Sequence, residues 1–291
     1  MLMTLEQLRV FVAVAERLHM TRAAEALNMT QSAASAAVAA LEARHGVRLF
    51  DRVGRGLALT EAGRTFLPDA SAVLARAHAA AQALDDLAGL RRGAIDLAAS
   101  QTVANYWLPS RMATFARAYP DITLKLRVGN TAQVALAVTE GAADIGFVEG
   151  DIESQQLERT RVATDRIAVY AAPSHPLAGA IVGPGDLENA LWARREVGSG
   201  TRSEFEHALA DVGVDPGQLR TALEFTSNEA VLEATASGEL VAAVSELAAR
   251  SFVAAGRLTK LRFDLPDRHF DLVIHRERSR SPVVAEFVKR L

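Results

Sequence analysis

The stretch that decides the fold is TQSAASAAVAALEARHG, residues 30–46. Thr30 carries a side-chain oxygen suited to cap a helix beginning at Gln31. Gly46 can take the left-handed backbone that ends such a helix after His45. On a wheel of about 100° per residue, Ala34, Ala37, Val38 and Leu41 share one face, while Gln31, Ser32, Ser35, Ala36 and Ala39 share the other. A surface helix usually carries long charged side chains on its outer face. This outer face is small and weakly polar. A helix of that kind can sink into a major groove, with Gln31 and Ser32 at the end where side chains and free N–H groups meet base edges and phosphates.

Upstream, Leu5, Leu8, Phe11, Val12, Ala15 and Leu18 recur at three- and four-residue spacing and predict a first amphipathic helix. Thr21 is the expected N-cap of a short second helix ending near Leu27, and Asn28-Met29 make the turn. Downstream, residues 47–52 and 57–60 are two short extended runs around the glycine-containing turn 53–56, which reads as a β-hairpin. Arg52 and Arg55 near its tip suit phosphates or a minor groove. Three helices and a hairpin make a winged helix-turn-helix, expected over residues 1–60. The small outer face, the wing and its arginines together favour a DNA role over a plain helical packing module.

The residues Leu8, Phe11, Thr21, Ala23, Ala24, Leu27, Thr30 to Ser35, Leu41, Glu42, Gly46, Leu49, Phe50, Arg52, Leu59, Thr60, Ala62 and Gly63 resemble the N-terminal signature of LysR-type transcriptional regulators. The resemblance covers residues 4–64 without a gap. It implies that the helix from Gln31 enters the major groove, with Thr30, Gln31, Ser32 and Ser35 as contacts and Arg52 and Arg55 on the backbone or in the minor groove. One departure stands out: many relatives carry Arg or Gln after the serine matching Ser35, whereas this chain has Ala36-Ala37. DNA shape is then expected to contribute more to recognition.

Residues 61–92 are alanine-rich and strongly helix-forming. Leu67, Leu74, Ala77, Ala81, Leu84 and Leu87 or Ala88 give a seam, read as a dimerisation helix that has little else to bury against. Pro68 is expected to kink or interrupt it early, and Arg91-Arg92-Gly93 reads as a hinge. The resemblance implies pairing through this helix, and a dimer or a tetramer built as a dimer of dimers on an inverted repeat, in contact with RNA polymerase.

Residues 93–291 predict an effector-binding domain. Alternating Ile95, Leu97, Ala99, then helical material over 104–119, then alternating Ile122, Leu124, Leu126, Val128, a helix over 132–140 and the apolar run 144–148 give β-α-β-α-β and a parallel sheet. A strand over 166–172 follows. The pattern repeats with strands near 191–194, 221–226 and 240–244, helices near 202–212 and 229–236, a late strand over 269–275 and a final helix over 282–291. The fold class is therefore α/β behind an N-terminal winged helix-turn-helix. Lobe I is expected at about 93–164 and 267–291, and lobe II at about 165–266. The cleft between them, at the strand ends, is where ligands bind in such sheets. The architecture resembles the periplasmic-binding-protein type of effector domain.

Three strand-to-helix turns supply candidate effector ligands: Ser100-Gln101-Thr102, Ser199-Gly200-Thr201-Arg202 and Asn228. Free N–H groups at helix starts, with hydroxyls, suit a small anion. The plainer reading of any one turn is an N-cap; the turn at Gly198–Arg202 stands apart because two glycines permit close backbone approach and Arg202 adds charge. Glu149 ends a strand near the same cleft and can hold a cationic or hydroxyl group or cap the loop. The run 99–109 and the 198–202 turn also resemble a subgroup that regulates sulfur assimilation and carbon fixation, which implies a small oxyanion or phosphorylated metabolite.

Composition bounds the rest. The chain has no cysteine, which excludes disulfides and thiolate metal sites and fits a reducing compartment. No apolar run approaches the ~20 residues that cross a bilayer, and Glu6, Arg9, Glu16 and Arg17 interrupt the first apolar stretch, so neither a membrane nor a signal peptide is expected. A cytoplasmic location is the expectation. Residues 1–66 hold 8 Arg against 6 acids, and residues 93–291 hold 21 Lys and Arg against 26 acids, so charge alone does not identify a nucleic-acid binder. No enzyme is expected: Ser199 lacks the elbow that exposes a nucleophile, and His175, His207, His269 and His275 lack ligand spacing. No metal or cofactor is implied. A two-lobe solute-binding protein would share the second architecture and leave residues 4–64 without a use.

Overall fold

The computed structural model describes residues 3–53, 56–87, 93–152, 154–278 and 280–291. They form two compact units that divide near residue 90.

In the first unit, α1 (Leu5–Arg17) opens with a capping box in which Thr4 Oγ1 accepts from Gln7 N at 3.2 Å and Gln7 Oε1 accepts from Thr4 N at 3.0 Å. α2 (Met20–Ala26) is capped by His19 rather than Thr21, because Leu18 at φ 48° turns the chain two residues earlier than expected. α3 (Gln31–His45) runs from Thr30, whose Oγ1 accepts from Ala33 N at 3.2 Å, to Gly46 at φ 65°. The wing is an antiparallel pair, β1 (Phe50–Val53) and β2 (Gly56–Leu59), with Phe50 opposite Leu59.

The long helix α4 (Glu61–Leu87) follows. Gly63 in its first turn has no room for a side chain: a Cβ there would overlap Leu49 O and stand 2.9 Å from Leu59 Cδ2. α4 continues through Pro68 instead of stopping there. Phe66 and Leu67 before the proline, and Ala70 and Leu74 after it, pack on the same core as Phe11 and Leu41. Phe66 lies 5.1 Å from Phe11, centroid to centroid. Burial on both sides of Pro68 offsets the one helix bond it removes. The seam expected to face a partner is thus partly spent within the unit. Leu67 and Leu74 serve the unit's own core, and Ala81 is exposed. The side chains of Leu84 and Leu87, and residue Ala88, lie outside the described residues, as do Arg91 and Arg92.

The second unit opens with β3 (Gly93–Ser100). A five-residue π-helical turn, Val103–Trp107, leads into α5 (Leu108–Ala118). β4 (Ile122–Gly129), α6 (Thr131–Glu140) and β5 (Ile145–Glu149) complete a parallel set in the order β4-β3-β5. β6 (Leu157–Ala171) is longer than the sequence suggested, since residues 157–165 lack clean apolar alternation. Then come α7 (Pro184–Asn189), β7 (Leu191–Arg195), α8 (Gly200–Asp211), β8 (Arg220–Phe225), α9 (Asn228–Thr235), β9 (Val241–Ser245), α10 (Glu246–Ala254), β10 (Thr259–Lys260), β11 (Asp267–His275) and α11 (Pro282–Lys289).

Neither α7 nor α10 was expected. α7 is only six residues long, and α10 starts without a loop because Ser245 both ends β9 and caps the helix. One strand, β6, crosses between the lobes. β6 pairs with β11 up to Arg166 and with β9 from Ile167 onward. Trp107, Phe147 and Phe270 anchor one lobe's core, and Trp192 with Phe205 anchors the other's. The chain therefore places the ends of β3, β5 and β7 and the starts of α8 and α9 against one another.

Candidate functional site

On the first unit, α3 sorts its residues as the wheel predicts. Ala34, Val38 and Leu41 are buried, while Gln31, Ser32, Ala36 and Ala39 are exposed and Ser35 is half-exposed. Apart from Gln31, the exposed residues of that face carry short side chains. Thr30 Oγ1 lies 3.0 Å from Ser32 Oγ, so the helix start presents hydroxyls beside its own N–H groups. A shallow depression runs between α3, the start of α2 and the wing, where the polar residues His19, Thr21, Gln31, Ser35 and Arg52 mix with the apolar Leu18, Met20 and Leu57. Arg52 is exposed; Arg55 lies outside the described residues. His19 and Thr21 were not anticipated there. The turn made early by Leu18 is what brings the start of α2 to the groove.

In the second unit the predicted turns do meet. Gln101 spans the cleft: its Nε2 donates to Thr226 O at 3.1 Å and its Oε1 accepts from Asn228 N at 2.6 Å. Asn228 Nδ2 donates to Thr102 Oγ1 at 3.2 Å, and Asn228 Oδ1 accepts from Arg195 Nη1 at 2.6 Å. The π-helical turn inserts one extra residue and brings Asn105 and Tyr106 to Glu229, at 3.1 and 2.7 Å. Burial raises the Glu229 carboxyl's pKa, but hydrogen bonds from Tyr106, its own backbone, Ser227 and Asn105 outweigh that and leave it below the ordinary range. Burial first, then the bond to Glu229, pushes the Tyr106 phenol up.

Glu149 is the centre of the second cluster. Ser100 Oγ donates to Glu149 Oε2, and Thr201 Oγ1 donates to Glu149 Oε1 at 3.3 Å. Arg268 Nη1 donates to Thr201 Oγ1 at 3.0 Å and stands 3.8 Å from Glu149 Oε1. Arg268 Nε donates to Asp165 Oδ2 at 2.8 Å, and Asp165 Oδ1 accepts from Ser245 Oγ at 2.9 Å. Ser100, Glu149, Thr201 and Arg268 are each no more than 2% exposed. Gly200 makes this junction possible, since a Cβ there would overlap Glu149 O and stand 2.5 Å from Thr131 Oγ1. The glycine serves lobe-to-lobe approach. Ser199 is buried at the start of α8, and its hydroxyl does not cap the helix.

Arg202 does not add a free charge to the cleft, contrary to expectation. Its guanidinium is taken by Glu206 at 2.8 Å, Glu224 at 2.7 Å and Arg195 O at 3.0 Å. The cation buried beside Glu149 is Arg268, and Arg195, also buried, holds Asn228; the sequence reading missed both. The signal for Arg268 was parity: in β11 it shares a face with Phe270 and Leu272, where an arginine must be paired to be buried. Asp165 carries the same signal in β6, in step with Ile167 and Val169. Among the described residues no group of His, Asp and Glu could hold a metal ion, and no helix is long and apolar enough to cross a membrane.

Comparison with known proteins points one way. Residues 5–64 match the model for bacterial regulatory helix-turn-helix proteins of the lysR family, and residues 88–291 match the LysR substrate binding domain. The uncharacterized HTH-type transcriptional regulator YeiE of Escherichia coli is 35% identical over 98% of this chain and 96% of its own. The HTH-type transcriptional regulator CbbR of Rhodospirillum rubrum is 32% identical over 97% of this chain and 93% of its own. The crystal structure of full-length CbnR complexed with its target DNA has this fold, with a TM-score of 0.69 at 23% identity over 99% of this chain and 98% of that one. The CcmR regulatory domain of Synechocystis, in complex with 2-PG, has a TM-score of 0.62 at 27% identity over 68% of this chain and 95% of that one.

Proposed function

The chain belongs to the LysR family of DNA-binding transcriptional regulators with an effector-binding domain, and from that premise we propose how its two units divide the work. α3 enters the major groove. Gln31, Ser32 and Ser35 meet base edges and sugars, Thr30 meets a phosphate, and Arg52 and Arg55 of the wing hold the backbone or the minor groove. The observation that carries this reading is an exposed helix face made of small side chains beside an exposed arginine-bearing hairpin. Alanine at 36 and 37 leaves few polar groups for base readout, so groove shape supplies part of the specificity.

The second unit binds a small acidic effector between its lobes. Ser100, Gln101, Thr102, Glu149, Ser199, Gly200, Thr201 and Asn228 form the site, with Arg268 as its buried cation. The uncapped start of α8 supports an acid, because free N–H groups and the helix dipole favour negative charge there. The 2-PG complex of the CcmR regulatory domain supports the same ligand class. Binding changes lobe closure, which alters the angle between paired winged units and so promoter bending and contact with RNA polymerase. The working form is a dimer or a dimer of dimers on an inverted repeat, in the cytoplasm.

A thermal-shift screen with small acids finds the effector, since binding stabilises only the folded state. A gel-shift titration with and without the hit then tests the coupling. An acid that binds but leaves operator affinity and DNA bending unchanged contradicts it.

A further inference from the structure

The donors that suit an acid in this cleft already hold one. Ser100 Oγ and Thr201 Oγ1 both point at the carboxylate of Glu149, one to each oxygen. Arg268 completes the chain through Thr201 and lies 3.8 Å from the same carboxylate. These partners come from the end of β3, the start of α8 and the strand β11, so both lobes converge on one side chain. The set is closed to water, with Glu149 1% exposed. It also carries two carboxylates, Glu149 and Asp165, against the single guanidinium of Arg268. Arg268 Nη2 lies 2.7 Å from Asp165 Oδ2 but makes no aligned hydrogen bond, so one buried donor of the cation is not well used.

We propose that Glu149 is a tethered occupant of the effector cradle, and that an acidic effector binds by displacing its carboxylate. The inference rests on the cleft reading given above. A free acid entering beside an unmoved Glu149 would place a third negative charge against one guanidinium in a low-dielectric site, where like charges repel strongly. Once Glu149 swings out, Ser100, Thr201, Arg268 and the start of α8 are released together to the ligand. The lobes stay bridged through the same atoms, but the bridging acid is now a diffusible one. Glu149 thereby sets the concentration at which the sensor responds: a well-held internal acid makes a high threshold.

The test needs no knowledge of the natural effector. Glu149→Ala removes the internal acid and leaves a cradle of carboxylate size, so formate and acetate are the probes. Thermal shift and calorimetry are run on the full chain at constant ionic strength, with chloride as the balancing anion. Glu149→Ala is expected to bind formate or acetate saturably, at least tenfold more tightly than wild type, and to regain the thermal stability lost with the side chain. Adding Ser100→Ala and Thr201→Val to that variant removes the rescue. Equal, weak responses of wild type and Glu149→Ala overturn the proposal. Rescue that survives Ser100→Ala and Thr201→Val also overturns it, and places the acid site outside this cleft, which is the distinct failure of the underlying reading. Should Glu149→Ala not fold, Glu149→Gln carries the same comparison. It keeps the volume and drops the charge, and its affinity for the probes must rise above that of wild type; an unchanged affinity contradicts the displacement.

Discussion

The face of α3 and the cleft at Glu149 are built on opposite terms. α3 is open, small and nearly uncharged, and its side chains make few bonds to the rest of the unit. The cleft is closed, charged and bonded at almost every polar atom. A surface that receives a large rigid partner has to keep clear, so added bulk damages it and removed bonds do not. A site that takes a small ligand by moving two lobes has to be held shut by exchangeable polar contacts, so removed bonds damage it. Stability and binding should therefore separate cleanly between the two regions.

The largest effect is expected at Gly200. Gly200→Ala forces a methyl group into Glu149 O, and backbone at both ends of that contact cannot yield cheaply. A loss of about 3 kcal/mol in urea denaturation of the second unit is expected, with duplex binding by the first unit unchanged. Next is Thr201→Val, which takes a donor from Glu149 and an acceptor from Arg268 inside a buried network. It should cost about 2 kcal/mol and abolish the effector response while leaving DNA binding intact.

The opposite profile belongs to α3. Ser35→Arg is expected to weaken specific operator binding tenfold or more by gel shift, about 1.4 kcal/mol, with no more than about 0.5 kcal/mol change in stability, as for other surface changes. Should it unfold the first unit instead, the two regions would not differ as described. Thr30→Ala sharpens the contrast from within α3, since it removes the cap bond to Ala33 N and is worth about 1 kcal/mol of stability.

The smallest effect is one of pH. Glu229 has a folded pKa below its ordinary value near 4.5. Its clasp with Tyr106 and Asn105 therefore contributes stability that is present above pH 4.5 and is lost as pH falls from there through the depressed folded value. Melting curves of wild type and Glu229→Gln should converge over that range.

The sequence told these regions apart unevenly. α3 was legible almost to the residue, because its cap, its terminal glycine and its buried face are all local signals within residues 30–46. The lobes were legible as strand and helix alternation, but the crossing strand β6 was half missed and α10 wholly so, since Ser245 is at once strand end and helix cap. That Ser100, Gln101, Thr102, Thr201 and Asn228 lie at strand-to-helix turns was legible, because such turns announce themselves. What they bond to was not. Arg268 and Asp165 lie 103 residues apart in sequence and meet only through the pairing of β11 with β6. Arg202, the nearer arginine, was instead drawn off by Glu206 and Glu224, one of which is a helical turn away and the other on a neighbouring strand.

The measurement that bears most directly on the account is the affinity of an Ala36→Glu variant for duplex DNA. Ala36 is exposed at the middle of the α3 face, so the change leaves the fold alone and sets a carboxylate against the groove floor. Fluorescence anisotropy would use a duplex selected by the wild-type protein from a random pool. Wild type should bind it with an affinity that falls steeply with salt, and Ala36→Glu should lose about a hundredfold, roughly 2.8 kcal/mol, at an unchanged melting temperature. Equal binding by the two proteins would mean that this face of α3 does not enter the DNA.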